Sequence, residues 1–292
     1  MRLASIRAAD HAVIGVVSAD QQTVRVLPTA LGTVDDVVRG LLPLKTVSAA
    51  AANIPNTAIE TLEIGPPLTR FNRDILCTGW NYVDHFHESA GRRDGQGPPS
   101  MPEHPTFFTK GPDTVIGPHD VIAFDSTLSA KWDYEAELAL VIGHDGRSIP
   151  EPDALAHVFG YFVANDISQR DLQRSHGGQW LKGKSLDATM PIGPWITTAD
   201  EISDPIDMTV ECELNGELVQ HASTKEMAFA IPRLIAELSR GMTLRAGDVL
   251  LTGTPSGVGN ARTPPVYLTS GDILQTRIKG LGDLKNALGH RS

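Results

Sequence analysis

Trp132-Asp133-Tyr134-Glu135-Ala136-Glu137-Leu138-Ala139-Leu140-Val141-Ile142-Gly143 is the stretch that decides the fold. Residues 138–143 form a continuous apolar run, the pattern of a buried strand. In an extended chain successive side chains alternate faces, so Glu135 and Glu137 project from one side and Ala136 from the other. A lone Glu-x-Glu ordinarily marks a solvent-facing acidic strand. Here the apolar run places the pair at the mouth of a core strand, where two anions so close need a cation. A third carboxylate, Asp166, closes the strand-like Gly160-Tyr161-Phe162-Val163-Ala164-Asn165-Asp166. Oxygen ligands without a nearby Cys or a His-x-x-x-His pattern favour a hard ion, magnesium, manganese or calcium, over zinc or copper. Three protein ligands on an octahedral ion leave positions for substrate and water, so an enzyme is the leading expectation.

The chain has 292 residues, enough for one large domain with a small appendage or for two ordinary domains. With 25 basic and 35 acidic residues, its formal charge of −10 gives no general attraction to nucleic acid or anionic membrane. A small anionic substrate would need local cations. Cys77 and Cys212 are far apart and each lies in a strand-like context, which argues against a disulfide framework and for a reducing compartment. Residues 1–7 lack the apolar stretch of a signal peptide, and no later run approaches transmembrane length. A soluble, cytoplasmic protein is expected.

Residues 1–70 read as a small N-terminal α+β domain, with strands at 3–7, 13–18 and 23–27 and an Ala-rich helix near 44–52. Nothing in it looks catalytic, and His11 reads as a surface turn residue. Pro66-Pro67 marks the junction, because paired prolines stiffen an extended connection. Beyond it the chain is mainly short strands punctuated by Gly and Pro, at 75–78, 106–109, 134–142, 161–164, 208–214, 249–252 and 273–277. Asn215-Gly216 signals a type I′ hairpin with a returning strand at 217–221. One clear helix is expected over 231–240, with Pro232 in its first turn, Leu234, Ile235 and Leu238 on one face, and Gly241 after its end. The fold class is mainly β with some α.

Residues 88–105 are too rich in Gly, Pro and charge to form a core element and read as a surface loop. Immediately before them lies Gly79-Trp80-Asn81-Tyr82-Val83-Asp84-His85-Phe86-His87-Glu88. In a short helix His85 and Glu88 stand three apart on one face, where a carboxylate can orient an imidazole and raise its basicity. His87 then points to solvent. Together these residues suggest an active-site lid near 81–104.

Taken in order, five segments strongly resemble the fumarylacetoacetate hydrolase family: Gly79 to Glu88; Asp133 to Gly143; Asn165-Asp166-Ile167-Ser168-Gln169-Arg170-Asp171-Leu172-Gln173; Lys182-Gly183-Lys184-Ser185; and Leu250 to Gly259. The resemblance spans roughly residues 71 to 280. It implies a mixed β-roll catalytic domain over 71–292, usually a homodimer, that binds Mg2+ or Mn2+ and acts on a small anionic 2-oxo or 2,4-dioxo acid. It also implies that Glu135, Glu137 and Asp166 hold the metal and that His85 and Glu88 activate water. Lys184 would stabilise an anionic intermediate, with Arg170, Gln173, Thr254 and Lys110 lining the substrate site. Lys182, on the strand face expected for Lys184, is a weaker candidate.

The expected reaction is hydrolysis of a carbon–carbon bond in an acylpyruvate or diketo-deoxy sugar acid. Water activated by His85 attacks the 4-carbonyl, and cleavage leaves the enolate of pyruvate and a carboxylic acid. Oxaloacetate-type decarboxylation and hydroxydienoate isomerisation use the same metal and the same enolate, and the dyad tilts the expectation toward hydrolysis. A non-catalytic keto-acid binding protein is a remote alternative. Residues 253–259 are Gly-rich but lack the Lys-Ser/Thr of a phosphate loop, and Ser256 lies outside a Gly-x-Ser-x-Gly elbow. The Pro264-Pro265-Val266-Tyr267 stretch departs from the short acidic connection expected in the family.

Overall fold

The computed structural model describes residues 1–8, 11–92 and 97–290. Part of the expected lid, residues 93–96, lies outside the described residues. The fold is mainly β, as expected. A long mixed sheet runs in the order Thr57–Ala58, Thr23–Val26, His11–Val17, Arg2–Ala8, Met190–Thr198, Val158–Asn165, Ala136–Ile142, Val249–Leu251, Ile75–Gly79 and Thr106–Lys110. A second sheet orders Glu217–Ser223, Thr209–Leu214, Ile273–Ile278, Gly282–Gly289 and Ile122–Ala123.

The apolar run after Glu137 lies in the strand Ala136–Ile142, buried at every residue. It pairs antiparallel with Val158–Asn165 on one side and Val249–Leu251 on the other. Its two faces feed different cores: Leu138, Leu140 and Ile142 pack in one apolar cluster, Ala139 and Val141 in another. Burial on both faces explains the unbroken apolar run, because each large apolar side chain contributes roughly 1.5–3 kcal/mol when removed from water.

The N-terminal strands extend this sheet. Arg2 faces Thr197 and Leu3 faces Ile196 across an antiparallel pair, and Leu3, Ile14 and Val47 share a cluster with Val141 and Phe162. The Pro66-Pro67 junction therefore interrupts neither the ladder nor the core. Asn215 and Gly216 both take positive φ, 53° and 84°, in the two-residue hairpin that pairs Leu214 with Glu217. The helix Ile231–Ser239 carries Pro in its first turn and buries Ile231, Leu234, Ile235 and Leu238.

Met190–Thr198 is a nine-residue buried strand that the local sequence pattern does not announce. Two prolines and a glycine disguise it. Tyr161 and Val163 of the neighbouring strand face Thr197 and Gly193, so four residues of this strand span what two of its neighbour span, and the extra residues around Pro194 bulge out of the ladder.

Candidate metal and active site

Glu135, Glu137 and Asp166 are buried, and ligand oxygens of the three lie within 4.8 Å of one another. Register brings them together. Ala136 faces Asn165 and Glu137 faces Ala164. The Asp166 N–H donates to the Glu135 carbonyl at 2.8 Å, which carries the ladder one step further and sets Asp166 opposite Glu135, on the face Glu137 shares. Asn165 fixes this corner: its Oδ1 accepts the Glu135 N–H at 3.0 Å and its Nδ2 donates to Thr276 Oγ1 at 2.9 Å.

Cations surround the triad. Lys184 Nζ donates to Glu135 Oε2 and to Asp166 Oδ2, each at 2.7 Å. Lys110, fully buried, donates to Asp166 Oδ1 at 2.6 Å and to the Ile167 carbonyl at 3.0 Å. Arg170 Nη1 pairs with Glu135 Oε1 at 2.6 Å, and its Nε donates to Asp133 Oδ2 at 2.8 Å. Burial pushes the Glu135 carboxyl upward, but Lys184 and Arg170 outweigh it and hold the group below the usual carboxylate range. Burial also drives Glu137 well upward, and there the charges of Asp166 and Glu135 add to the shift. Burial works to lower the Lys184 ammonium, yet Asp166 and Glu135 hold it above its ordinary value.

Four buried carboxylates, Asp133, Glu135, Glu137 and Asp166, thus meet three buried cations, Lys110, Arg170 and Lys184. Among the described residues, Glu137 is the carboxylate of this cluster left without a cationic partner, and the Gly253 N–H donates to its Oε2 at 2.6 Å. An all-oxygen cluster with surplus negative charge fits a hard divalent ion. Gly253 holds a φ of +96°, which aims that N–H at the carboxylate, and a Cβ there would lie 2.7 Å from the Asn81 side chain. Glycine meets both demands.

The expected short helix forms over Val83–Glu88. His85 Nδ1 lies 2.7 Å from Glu88 Oε1, and Glu88 Oε2 accepts the Gly257 N–H at 2.8 Å, so the carboxylate is itself anchored. A carboxylate at Nδ1 keeps the proton there and leaves Nε2 as the free base. His85 and Glu135 line one cavity of about 30 Å³, together with Thr78, Arg170, Gln173 and Lys184. Among the described residues, two buried polar atoms on its walls lack a hydrogen-bond partner: Thr78 Oγ1 and Arg170 Nη2. Buried polar groups are satisfied as a rule, so this pair marks where a ligand's oxygens belong. His87 is exposed, as expected.

Other expected residues take different places. Gln173 lines the cavity and accepts from Arg170 Nη1 at 3.2 Å. Thr254 also lines it, but its hydroxyl donates to the Ala136 carbonyl at 3.0 Å and accepts from Gln220 Nε2 at 2.8 Å. Lys110 reaches Asp166 from outside the residues that wall the cavity. Lys182 and Lys184 share a short helix, Leu181–Lys184, rather than a strand face; Lys182 is exposed and Lys184 buried. Pro264 to Tyr267 lies near the lid: Tyr267 donates to Asn260 Oδ1 at 2.9 Å, and Arg92 Nη1 donates to the Asn260 carbonyl at 3.1 Å.

Asp133 is a site residue that the sequence motifs alone do not single out. Besides Arg170 it accepts the N–H groups of Gly259 and Asn260 at 2.7 and 3.0 Å, so it ties the Arg170 guanidinium to the loop beside the lid. Its place two residues before Glu135 is the one signal the sequence offers. Thr78 is a second such residue, and nothing in its local sequence distinguishes it from any strand threonine.

Fold and site together define a mainly β enzyme organised around a buried all-carboxylate site of the type that holds a hard divalent ion. The chain belongs to the fumarylacetoacetate hydrolase family: residues 74–288 match its C-terminal domain, described as Fumarylacetoacetate (FAA) hydrolase C-terminal. It is 44% identical over 232 residues to oxaloacetate tautomerase YisK of Bacillus subtilis, covering 80% of this chain and 75% of that one. It is 46% identical over 240 residues to the mitochondrial oxaloacetate tautomerase fahd2 of Xenopus laevis, covering 82% and 72% of the two. Among solved structures, fumarylacetoacetate hydrolase from psychrophilic Exiguobacterium antarcticum superposes over the whole of both chains, with a TM-score of 0.85 and 37% identity. Among the described residues no helix is long and apolar enough to cross a membrane.

Proposed function

We propose that this protein catalyses divalent-metal-dependent keto–enol tautomerisation of a small 2-oxo acid of the oxaloacetate type. The observation that carries the reading is the pairing, on one cavity, of a free imidazole base at His85 with the fixed cations Arg170 and Lys184. Enolisation needs a base at C3 and positive charge at the oxygens, and it needs no water. The names of the two relatives above support the same chemistry.

A divalent ion held by Glu135, Glu137 and Asp166 would supply Lewis-acid polarisation of the 2-oxo group. Arg170 Nη2 and Thr78 Oγ1, both without a partner among the described residues, receive the substrate's carboxylate oxygens. His85 Nε2 takes a proton from C3 while Glu88 stabilises the imidazolium that forms. The Lys184 ammonium offsets the charge that grows on the 2-oxo oxygen, and a proton returned to that oxygen completes the enol. Run in reverse, the same groups convert enol to keto acid.

Carbon–carbon hydrolysis of a 2,4-dioxo acid is the second reading. One observation favours it: the anchored His85–Glu88 pair is equally suited to deprotonate water. Loss of oxaloacetate enol absorbance, followed with magnesium or with chelator, tests the first reading. Acceleration that chelation abolishes supports it; no acceleration, with pyruvate released from acylpyruvates, supports the second.

A further inference from the structure

Next to the carboxylate cavity lies a larger, open chamber, about 530 Å³, whose apolar side is formed by Trp80, Phe107, Phe108, Trp180 and Leu181 and whose polar side includes Thr106, Thr109 and Gln179. Among the described residues that line it, none is charged. Its size is that of a small-molecule pocket. Trp80, Phe108 and Trp180 also line the carboxylate cavity, so the two spaces share a wall of aromatic rings.

That wall is specifically built. Trp180 stands edge-on to Trp80, ring centroids 4.8 Å apart at 87°, and meets Phe108 at 5.1 Å. A Cβ on Gly79 would lie 2.7 Å from the Trp180 ring, so the bare glycine leaves room for the indole. Trp80 holds a φ of +51°, an uncommon conformation for a bulky side chain. On the cavity side, Lys184 Nζ sits 4.9 Å from the Phe108 ring centroid. Phe108 thus touches both the cation of the acid-binding end and the aromatic chamber.

Oxaloacetate has no use for such a chamber. Its second carboxylate calls for a cation, and the arginines Arg170 and Arg174 line a cavity on the lid side, with Gln173 and Asn260, that adjoins the carboxylate cavity. A flat neutral group instead gains from ring contacts and from leaving water.

We propose that this site also tautomerises 2-oxo acids bearing an uncharged aryl or alkyl substituent on C3, with the substituent seated in the aromatic chamber and the oxo acid at the carboxylate cavity. The inference deepens the enolisation reading and rests on it. The chemistry is unchanged and balanced: one proton leaves C3 for His85 and one joins the 2-oxo oxygen, with no co-reactant.

The test uses the magnesium-loaded full chain, phenylpyruvate as the probe and oxaloacetate as the reference. Phenylpyruvate tautomerisation is expected to be accelerated. Trp180→Ala is expected to lower the phenylpyruvate-to-oxaloacetate ratio of kcat/KM by roughly tenfold, the scale of a lost ring contact with its buried area. Leu181→Glu, at a position 54% exposed and hence tolerant in folding, is expected to lower the same ratio by putting a charge on the wall. Phenylpyruvate should also quench tryptophan fluorescence, more weakly in Trp180→Ala. Turnover of oxaloacetate without phenylpyruvate acceleration, or a ratio unmoved by both variants, overturns the inference. Quenching that Trp180→Ala weakens, with neither acid turned over, supports the chamber and overturns the enolisation reading instead. Absence of both quenching and turnover overturns the chamber.

Discussion

Asp166 stands opposite Glu135 across two antiparallel strands, joined backbone to backbone at 2.8 Å, and both carboxylates close on the one Lys184 ammonium at 2.7 Å. The strand pair that builds the core therefore also sets the spacing of the site. Glu137, two residues along on the same face, is left with surplus charge, and that surplus makes the site answer to a metal.

Thermal unfolding reads this directly. Magnesium or manganese at about 100 times its Kd is expected to stabilise the fold by about 2.7 kcal/mol over the chelated protein. In the chelated protein the folded-state pKa of Glu137 lies above its unfolded value. Its contribution to stability is therefore present in full below the unfolded carboxylate pKa and is lost as pH rises through the folded value. Glu137→Gln is expected to flatten that decline and to abolish the ion-induced rise in Tm; a variant that keeps the full rise contradicts the assignment.

His85→Ala is expected to lower kcat by about 10²–10⁴-fold, the span of general-base catalysis. Glu88→Gln leaves a hydrogen-bond partner at Nδ1 but removes the charge that stabilises imidazolium, and a smaller loss, roughly tenfold, is expected. Ion-induced stabilisation should survive both changes. Steady-state kinetics beside thermal melts check this.

Asp133→Asn removes a charge from a buried pair and leaves Arg170 with Glu135 as its remaining anion. A loss of about 3 kcal/mol in denaturant-derived stability is expected. Because Arg170 is held for substrate binding, KM should rise more than kcat falls.

Gly183→Ala should disturb Lys184 without altering any ionisable side chain. A Cβ there runs into the backbone of Gln173, which cannot give way as a flexible side chain would. About 1–3 kcal/mol of stability should be lost, with kcat lowered by displacement of the neighbouring ammonium. Wild-type stability in this variant would mean that the short helices Arg170–Ser175 and Leu181–Lys184 are less tightly packed than their geometry requires.

Much of the site is legible in the amino-acid sequence. Alternation places Glu135 and Glu137 on one face, and helix spacing pairs His85 with Glu88, because both depend only on local periodicity. Residues whose meaning is set by distant partners stay hidden. Asp133 acquires its role from Arg170 and from Gly259 and Asn260 beyond it. Thr254 reads as a substrate contact, yet Ala136 and Gln220 claim its hydroxyl. Met190–Thr198 escapes because Pro191, Gly193 and Pro194 read locally as loop, while a bulge within the strand itself lets them sit in a buried ladder. A strand period puts Lys182 on one face with Lys184, where the chain in fact turns as a helix.

The most direct measurement of the central claim is exchange of the C3 protons of oxaloacetate with solvent deuterium, followed by NMR with magnesium, with chelator, and with His85→Ala. Exchange above the uncatalysed rate, abolished by chelation and strongly slowed by His85→Ala, is expected. Uncatalysed exchange under every condition, alongside metal-dependent release of pyruvate from acylpyruvates, would contradict that expectation and restore the hydrolytic reading.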